Sequence, residues 1–142
     1  MELNAAIRKA HSMNILLIQN EPYALFRLEQ YVRQYYPSDS ITSFTDSTAA
    51  MEFIEKQSPP VDLCFTPVKT DGPSAMQVTR ALRKRSGAVK IVLTAKSNEY
   101  ALDAWTLGVN DYLLEPITAE SVQHTLSSCA PCCAPPRKGG PK

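Results

Sequence analysis

Four stretches of this chain set polar or rigid residues at the ends of apolar runs, and these are the places where chemistry would be done. Gln19-Asn20-Glu21 offers two neutral amides and one carboxylate, Pro67-Val68-Lys69 a cation beside a proline, Thr94-Ala95 a hydroxyl, and Glu115-Pro116 a second carboxylate. Hard cations such as Mg²⁺ take oxygen ligands, but amide oxygens are neutral and poorer donors than carboxylates, so Glu21 is the only carboxylate of its group. Pro67 has neither a carboxylate nor a backbone N–H, so its side chain serves neither a metal ion nor a phosphoryl group. Asp71 is the nearest carboxylate after it, in an Asp-Gly-Pro turn where the side chain is expected to bond local backbone.

The cysteines suggest chemistry of another kind. Cys64 lies inside an apolar run and reads as a small buried hydrophobe, whereas Cys129, Cys132 and Cys133 crowd the tail. Cys129-x-x-Cys132 has metal or redox spacing, but a zinc site needs four ligands and a thioredoxin-like pair belongs at a helix start. An exposed tail with reactive thiols, or a non-native extension, is the simpler reading.

These candidate groups must be positioned by the elements around them. Ile15–Ile18 is a short, wholly apolar run of the kind buried on both faces of a parallel sheet. Leu25, Leu28, Val32 and Tyr35 then fall at helical spacing until Pro37. Ile41–Phe44 reads as a second strand. Asp46-Ser47-Thr48 supplies N-cap candidates for a helix presenting Ala50, Phe53 and Ile54, which ends before Pro59-Pro60. The third strand, Val61–Thr66, carries Pro67 at its end. After the Asp71-Gly72-Pro73 turn, Ser74 can cap a helix whose inner stripe is Met76, Thr79 and Leu82, with Lys84 and Arg85 favouring its C-terminus. Lys90–Thr94 is a fourth strand, Asn98–Leu107 a helix closed by Gly108, Asp111–Leu114 a fifth strand and Thr118–Ser127 the last helix. Strict alternation with short connections implies right-handed crossovers and one parallel sheet covered on both sides.

Composition agrees with a single soluble domain. At 142 residues the chain can bury about two thirds of its unfolded surface in one core. Fifteen Lys+Arg against fourteen Asp+Glu leave a net charge of +1, which argues against a broad nucleic-acid face or binding to an anionic membrane. No apolar run approaches the roughly 20 residues of a membrane span, and the first thirteen residues lack a signal-peptide core. The expected organisation is an N-terminal extension over 1–13, a domain over 14–127 and a disordered Cys/Pro/Lys-rich tail over 128–142, in the cytoplasm.

Ligands of such sheets bind beyond the carboxyl ends of the strands, which is where the four stretches fall. From about Asn14 to Leu126 the chain resembles the receiver domain of bacterial two-component response regulators. The resemblance rests on Ile15-Leu16-Leu17-Ile18-Gln19-Asn20-Glu21-Pro22, Val61-Asp62-Leu63 before Pro67, and Ile91-Val92-Leu93-Thr94-Ala95. Its most specific part is Gly108-Val109-Asn110-Asp111-Tyr112-Leu113-Leu114-Glu115-Pro116-Ile117. Glu99-Tyr100-Ala101-Leu102-Asp103-Ala104 before Asp111-Tyr112-Leu113-Leu114 looks most like receivers that precede LytTR-type DNA-binding domains. The implied fold is flavodoxin-like, a (βα)5 three-layer sandwich around a five-stranded parallel sheet in the order 2-1-3-4-5.

The resemblance also implies parts that this chain lacks. Receivers hold Mg²⁺ on an acidic pair after strand one, and here the pair is Gln19-Asn20. Their phosphate is accepted by an aspartate after strand three, and here that position is Pro67. A lysine after strand five pairs with acceptor and phosphate, and here it is Glu115, of opposite charge. Mg²⁺ binding is therefore expected to be lost or weak, with no other cofactor and no enzymatic activity. Thr94 and Tyr112 match the hydroxyl and the aromatic that move together in receivers. As ordinary strand residues they would be a hydroxyl bonded to nearby backbone and a half-buried ring. Pro116 keeps the place of a cis peptide bond. Lys69 is a candidate to fill the altered pocket by pairing with Glu115 or Glu21.

Three functions compete on this reading. The first is a phosphorylation-independent pseudo-receiver that binds a protein partner or a second copy through its fourth helix, fifth strand and fifth helix. That face would present Trp105, Asp103, Asp111 and Glu120, and Trp105 either anchors an interface or packs partly buried against its own helix. The others are an active receiver with an unusual acceptor such as Asp71, and a small-molecule sensor using the altered pocket. A transcriptional role is implied only through a DNA-binding domain elsewhere in a parent protein, because Arg137-Lys138 is too small a patch to bind DNA.

Overall fold

Five short runs, four of them largely apolar, pair as parallel strands, and the computed structural model describes residues 13–57 and 59–129. The strands are β1 (Asn14–Ile18), β2 (Ser40–Phe44), β3 (Leu63–Pro67), β4 (Lys90–Ala95) and β5 (Asp111–Leu114), in one sheet ordered β2-β1-β3-β4-β5. All four pairings are parallel. Five helices make the crossovers: α1 (Pro22–Tyr35), α2 (Ser47–Lys56), α3 (Ala75–Arg85), α4 (Ala101–Leu107) and α5 (Ala119–Cys129). The flavodoxin-like (βα)5 sandwich expected from the sequence is therefore present.

Side-chain alternation along the strands builds two cores. Leu16, Ile18, Cys64, Ile91 and Leu93 pack against α2, α3 and α4, whereas Ile15, Leu17, Leu63, Phe65, Val92 and Leu113 pack against α1 and α5. Complete burial in the first layer pushes the Cys64 thiol pKa far above its ordinary range, so it behaves as the small hydrophobe expected.

Local chemistry sets the helix ends. Asp46 caps α2 by accepting from the Thr48 N–H at 2.9 Å, and Ser74 forms a capping box with Gln77 at the start of α3. Gly108 ends α4 in the left-handed region at φ 72°. The basic end of α3 serves neighbouring helices more than its own. Arg83 donates to the Leu107 and Gly108 carbonyls at 2.6 and 2.7 Å, and Arg85 to Ile54, Glu55 and Gln57 at 2.7–2.8 Å.

Several sequence expectations need correction. Met76 is 43% exposed, and the inner stripe of α3 is Ala75, Val78, Thr79 and Leu82. The stripe follows Ser74 as cap, which puts Ala75 rather than Met76 on the sheet side. Tyr35, at the end of the α1 stripe, is exposed. β3 begins at Leu63, because Asp62 exchanges bonds with Asn14 and its carboxylate accepts from the Asn14 N–H at 2.8 Å. The fourth helical segment opens as a 3-10 turn, Asn98–Tyr100. Met13 belongs to the domain, buried and bonded to Asp39 and Ser40, and α5 runs on to Cys129. The remaining extension and the tail, with Cys132, Cys133 and Arg137-Lys138, lie outside the described residues.

Candidate functional site

The carboxyl ends of β1, β3 and β4 converge where ligands of this architecture bind, and Pro67 lies at the centre. Pro67 is buried on β3 opposite Thr94 of β4, and the chain beyond it continues the ladder through Val68 N–H to the Thr94 carbonyl at 2.9 Å. Alternation along β3 directs residue 67 toward β1, but the β1–β3 register ends at Leu17 and Phe65. Pro67 has no N–H to carry that pairing further, so the β1–β3 ladder stops short of the end of β3.

The two amides after β1 reach over this position. Gln19 is 2% exposed, and its Nε2 donates to the buried Thr94 Oγ1 at 2.9 Å. Because β3 lies between β1 and β4, this bond spans the end of β3 above Pro67. Asn20 Nδ2 donates to the Lys69 carbonyl at 2.8 Å, tying β1 to the loop after β3. Lys69 does not pair with Glu115 or Glu21. Its ammonium sits 5.3 Å from the centre of the Tyr100 ring, and a hydrogen bond with Tyr100 leads the causes that raise its pKa. Thr94 likewise departs from expectation, since its hydroxyl meets a side chain rather than nearby backbone.

The remaining candidates sit around this centre. Tyr112 is half-buried against the α2–α4 core, and its hydroxyl donates to the Ser97 carbonyl at 2.7 Å. Ser97 Oγ accepts from the Glu99 N–H at 3.3 Å and so begins the turn that leads into α4. Glu115 N–H bonds the Ala95 carbonyl, and the Glu115-Pro116 peptide is cis. Glu21 and Glu115 line a cavity of about 200 Å³ with Gln19, Tyr23, Arg27 and Pro116. Arg27 is engaged there with Tyr31 and lies over the Tyr23 ring. Asp71 is exposed in the loop before α3, and the turn is organised by Thr70, whose hydroxyl donates to the Pro73 carbonyl at 2.6 Å, rather than by Asp71.

On the predicted interaction face, Trp105 is 76% exposed and Leu102 77%, both on α4, with Leu114 of β5 at 46%. Asp103 and Glu120 are exposed. Asp111 faces inward: one carboxylate oxygen accepts from Thr125 Oγ1 at 2.5 Å and the other from the Tyr112 N–H. The partly buried reading of Trp105 is thereby overturned. The short α4 directs Ala104 to the core and leaves the ring outside.

Residues 15–127 match the model of the response regulator receiver domain. The chain belongs to this family. The receiver is 25% identical over 118 residues to the sensory transduction protein LytT of Enterococcus faecalis, covering 83% of this chain and 48% of the relative. It is 30% identical over 105 residues to the TorCAD operon transcriptional regulatory protein TorR of Escherichia coli O157:H7, covering 73% and 44%. It thus spans about half the length of the curated relatives it matches. Among solved structures, a receiver protein from Sinorhizobium medicae superposes with a TM-score of 0.71 at 21% identity, over 84% of this chain and 95% of that one. The receiver domain of a putative LuxO repressor from Vibrio parahaemolyticus gives 0.70 at 20%, over 83% and 89%. These likenesses carry the fold.

What the sequence did not reveal is the pairing of these parts. Gln19 was legible as a poor metal ligand but not as the partner of Thr94. Its only signal was an amide and a hydroxyl at the ends of two apolar strands.

Proposed function

We propose that this receiver of a two-component response regulator works without phosphorylation, as a protein-interaction or dimerisation module. Gln19 reaching over Pro67 to Thr94 carries the reading, because internal groups occupy the space where a phosphoryl group and its metal would be handled. The donor set does not fit Mg²⁺. Two amides of the site donate hydrogen bonds to protein oxygens, Pro67 offers no ligand, and the carboxylates Glu21 and Glu115 line a cavity to one side.

The output face on this reading is α4, β5 and α5. Leu102, Trp105 and Leu114 are three of the seven large apolar side chains left exposed among the described residues, and Asp103 of α4 and Glu120 of α5 are exposed and charged. A protein partner or a second copy of the chain is the occupant. A role in transcription would come through a DNA-binding domain of a parent protein, as the name of the TorR relative suggests.

The test is incubation with acetyl phosphate, or with beryllofluoride, in the presence of Mg²⁺. The expected intact mass and spectra are unchanged, and a magnesium-dependent phosphoryl adduct, on Asp71 or elsewhere, overturns the proposal. The small-ligand alternative draws on the cavity beside Glu21 and Glu115, and a molecule retained there through purification would favour it.

A further inference from the structure

We infer that Gln19 and Asn20 form a two-armed latch that fixes the start of α4 and so sets the exposed face of that helix without a covalent signal. Both arms begin at the end of β1 and finish at the same place. One runs from the Gln19 amide to Thr94 at the end of β4, three residues before Ser97. The Ser97 carbonyl is held by the Tyr112 hydroxyl and its own hydroxyl opens the turn Asn98–Tyr100. The other runs from the Asn20 amide to the Lys69 carbonyl, and the Lys69 ammonium rests on Tyr100, the last residue of that turn.

The arms differ in strength for physical reasons. Gln19 and Thr94 are both buried, so separating them strands an amide N–H away from water, which costs more than making the bond gains. Asn20 and Lys69 are exposed, so water replaces their contacts cheaply. The Gln19 arm is therefore the main restraint and the Asn20 arm a guide. The helix they position is only seven residues long, too short to hold its place alone, and its far end is pinned by Arg83. α4 is thus held at both ends while Leu102 and Trp105 stay outside.

This inference rests on the reading that no phosphoryl group sets the switch, yet its test is separate from the acetyl phosphate experiment. Amide hydrogen exchange over residues 98–107 is measured in the full chain for Gln19→Met, Asn20→Ala, Thr94→Val, Thr94→Ser and the Gln19→Met/Thr94→Val pair. Gln19→Met and Thr94→Val are expected to speed exchange there by about tenfold, and the double variant no further, because both remove one bond. Asn20→Ala gives a smaller rise, and Thr94→Ser, which keeps the hydroxyl, restores slow exchange. Unchanged exchange over 98–107 in the single variants, or additive effects in the double one, overturns the latch. If Gln19→Met fails to fold, Thr94→Val against Thr94→Ser decides: fast exchange with valine and slow with serine supports the latch, and equal rates overturn it.

Discussion

At the scale of single residues, a proline and two amides matter more than any charge. Pro67 ends the β1–β3 pairing and brings no carboxylate, and the amides beside it donate to Thr94 and Lys69 where a metal site would present acids. Putting one back should therefore not restore chemistry. Pro67→Asp is expected to give no acyl phosphate with acetyl phosphate and Mg²⁺, because Gln19 and Asn20 still supply amides in place of an acid pair and Glu115 a carboxylate in place of a cation; a stoichiometric phosphoryl mass on that variant would contradict this. Cys64 makes a second residue-scale case. Burial favours its neutral thiol, so in the native protein it should resist iodoacetamide at about pH 8 and react only on unfolding, as read from its peptide by mass spectrometry. Above the ordinary thiol range the unfolded chain loses a proton that the folded chain keeps, so stability falls as pH rises, and Cys64→Ala should flatten that fall between about pH 8.5 and 10.

At the scale of elements, neighbouring helices depend on one another through α3. Arg85 supplies donors to three terminal carbonyls around α2, and Arg85→Ala is expected to lower stability by about 1 kcal/mol, a figure kept small by its exposure and checked by urea denaturation. Gly108→Ala should cost about 1 kcal/mol as well, since φ 72° is unfavourable for a side chain although only Arg83 stands near. The elements themselves were largely legible, because the five short runs and the caps at Asp46, Ser74 and Gly108 state their local preferences openly. Met76 misled because a stripe read every three residues can slip by one position, and the cap at Ser74 decides which position faces the sheet. Trp105 was ambiguous for a similar reason: its exposure depends on how little of a seven-residue helix touches the sheet. The Gln19–Thr94 pair was out of reach, since only the strand order brings residues of β1 and β4 over β3.

At the scale of the whole molecule, one sheet divides two cores that share every strand. Leu16 and Leu17 are adjacent in sequence yet face opposite cores. Leu16→Ala and Leu17→Ala are each expected to destabilise the receiver by about 3 kcal/mol. Circular dichroism should record one cooperative transition for both, because neither core can melt without the sheet; two separate transitions would show the layers to be independent. The matched region is about half the length of these relatives, so such a unit has to stay intact beside further sequence in proteins of that kind. Gln19 and Thr94 are 75 residues apart, and the bond between them depends on the order of synthesis. A nascent chain that has left the ribosome only as far as β3 has the amide but not its hydroxyl. The position above Pro67 therefore closes only once β4 has joined the sheet.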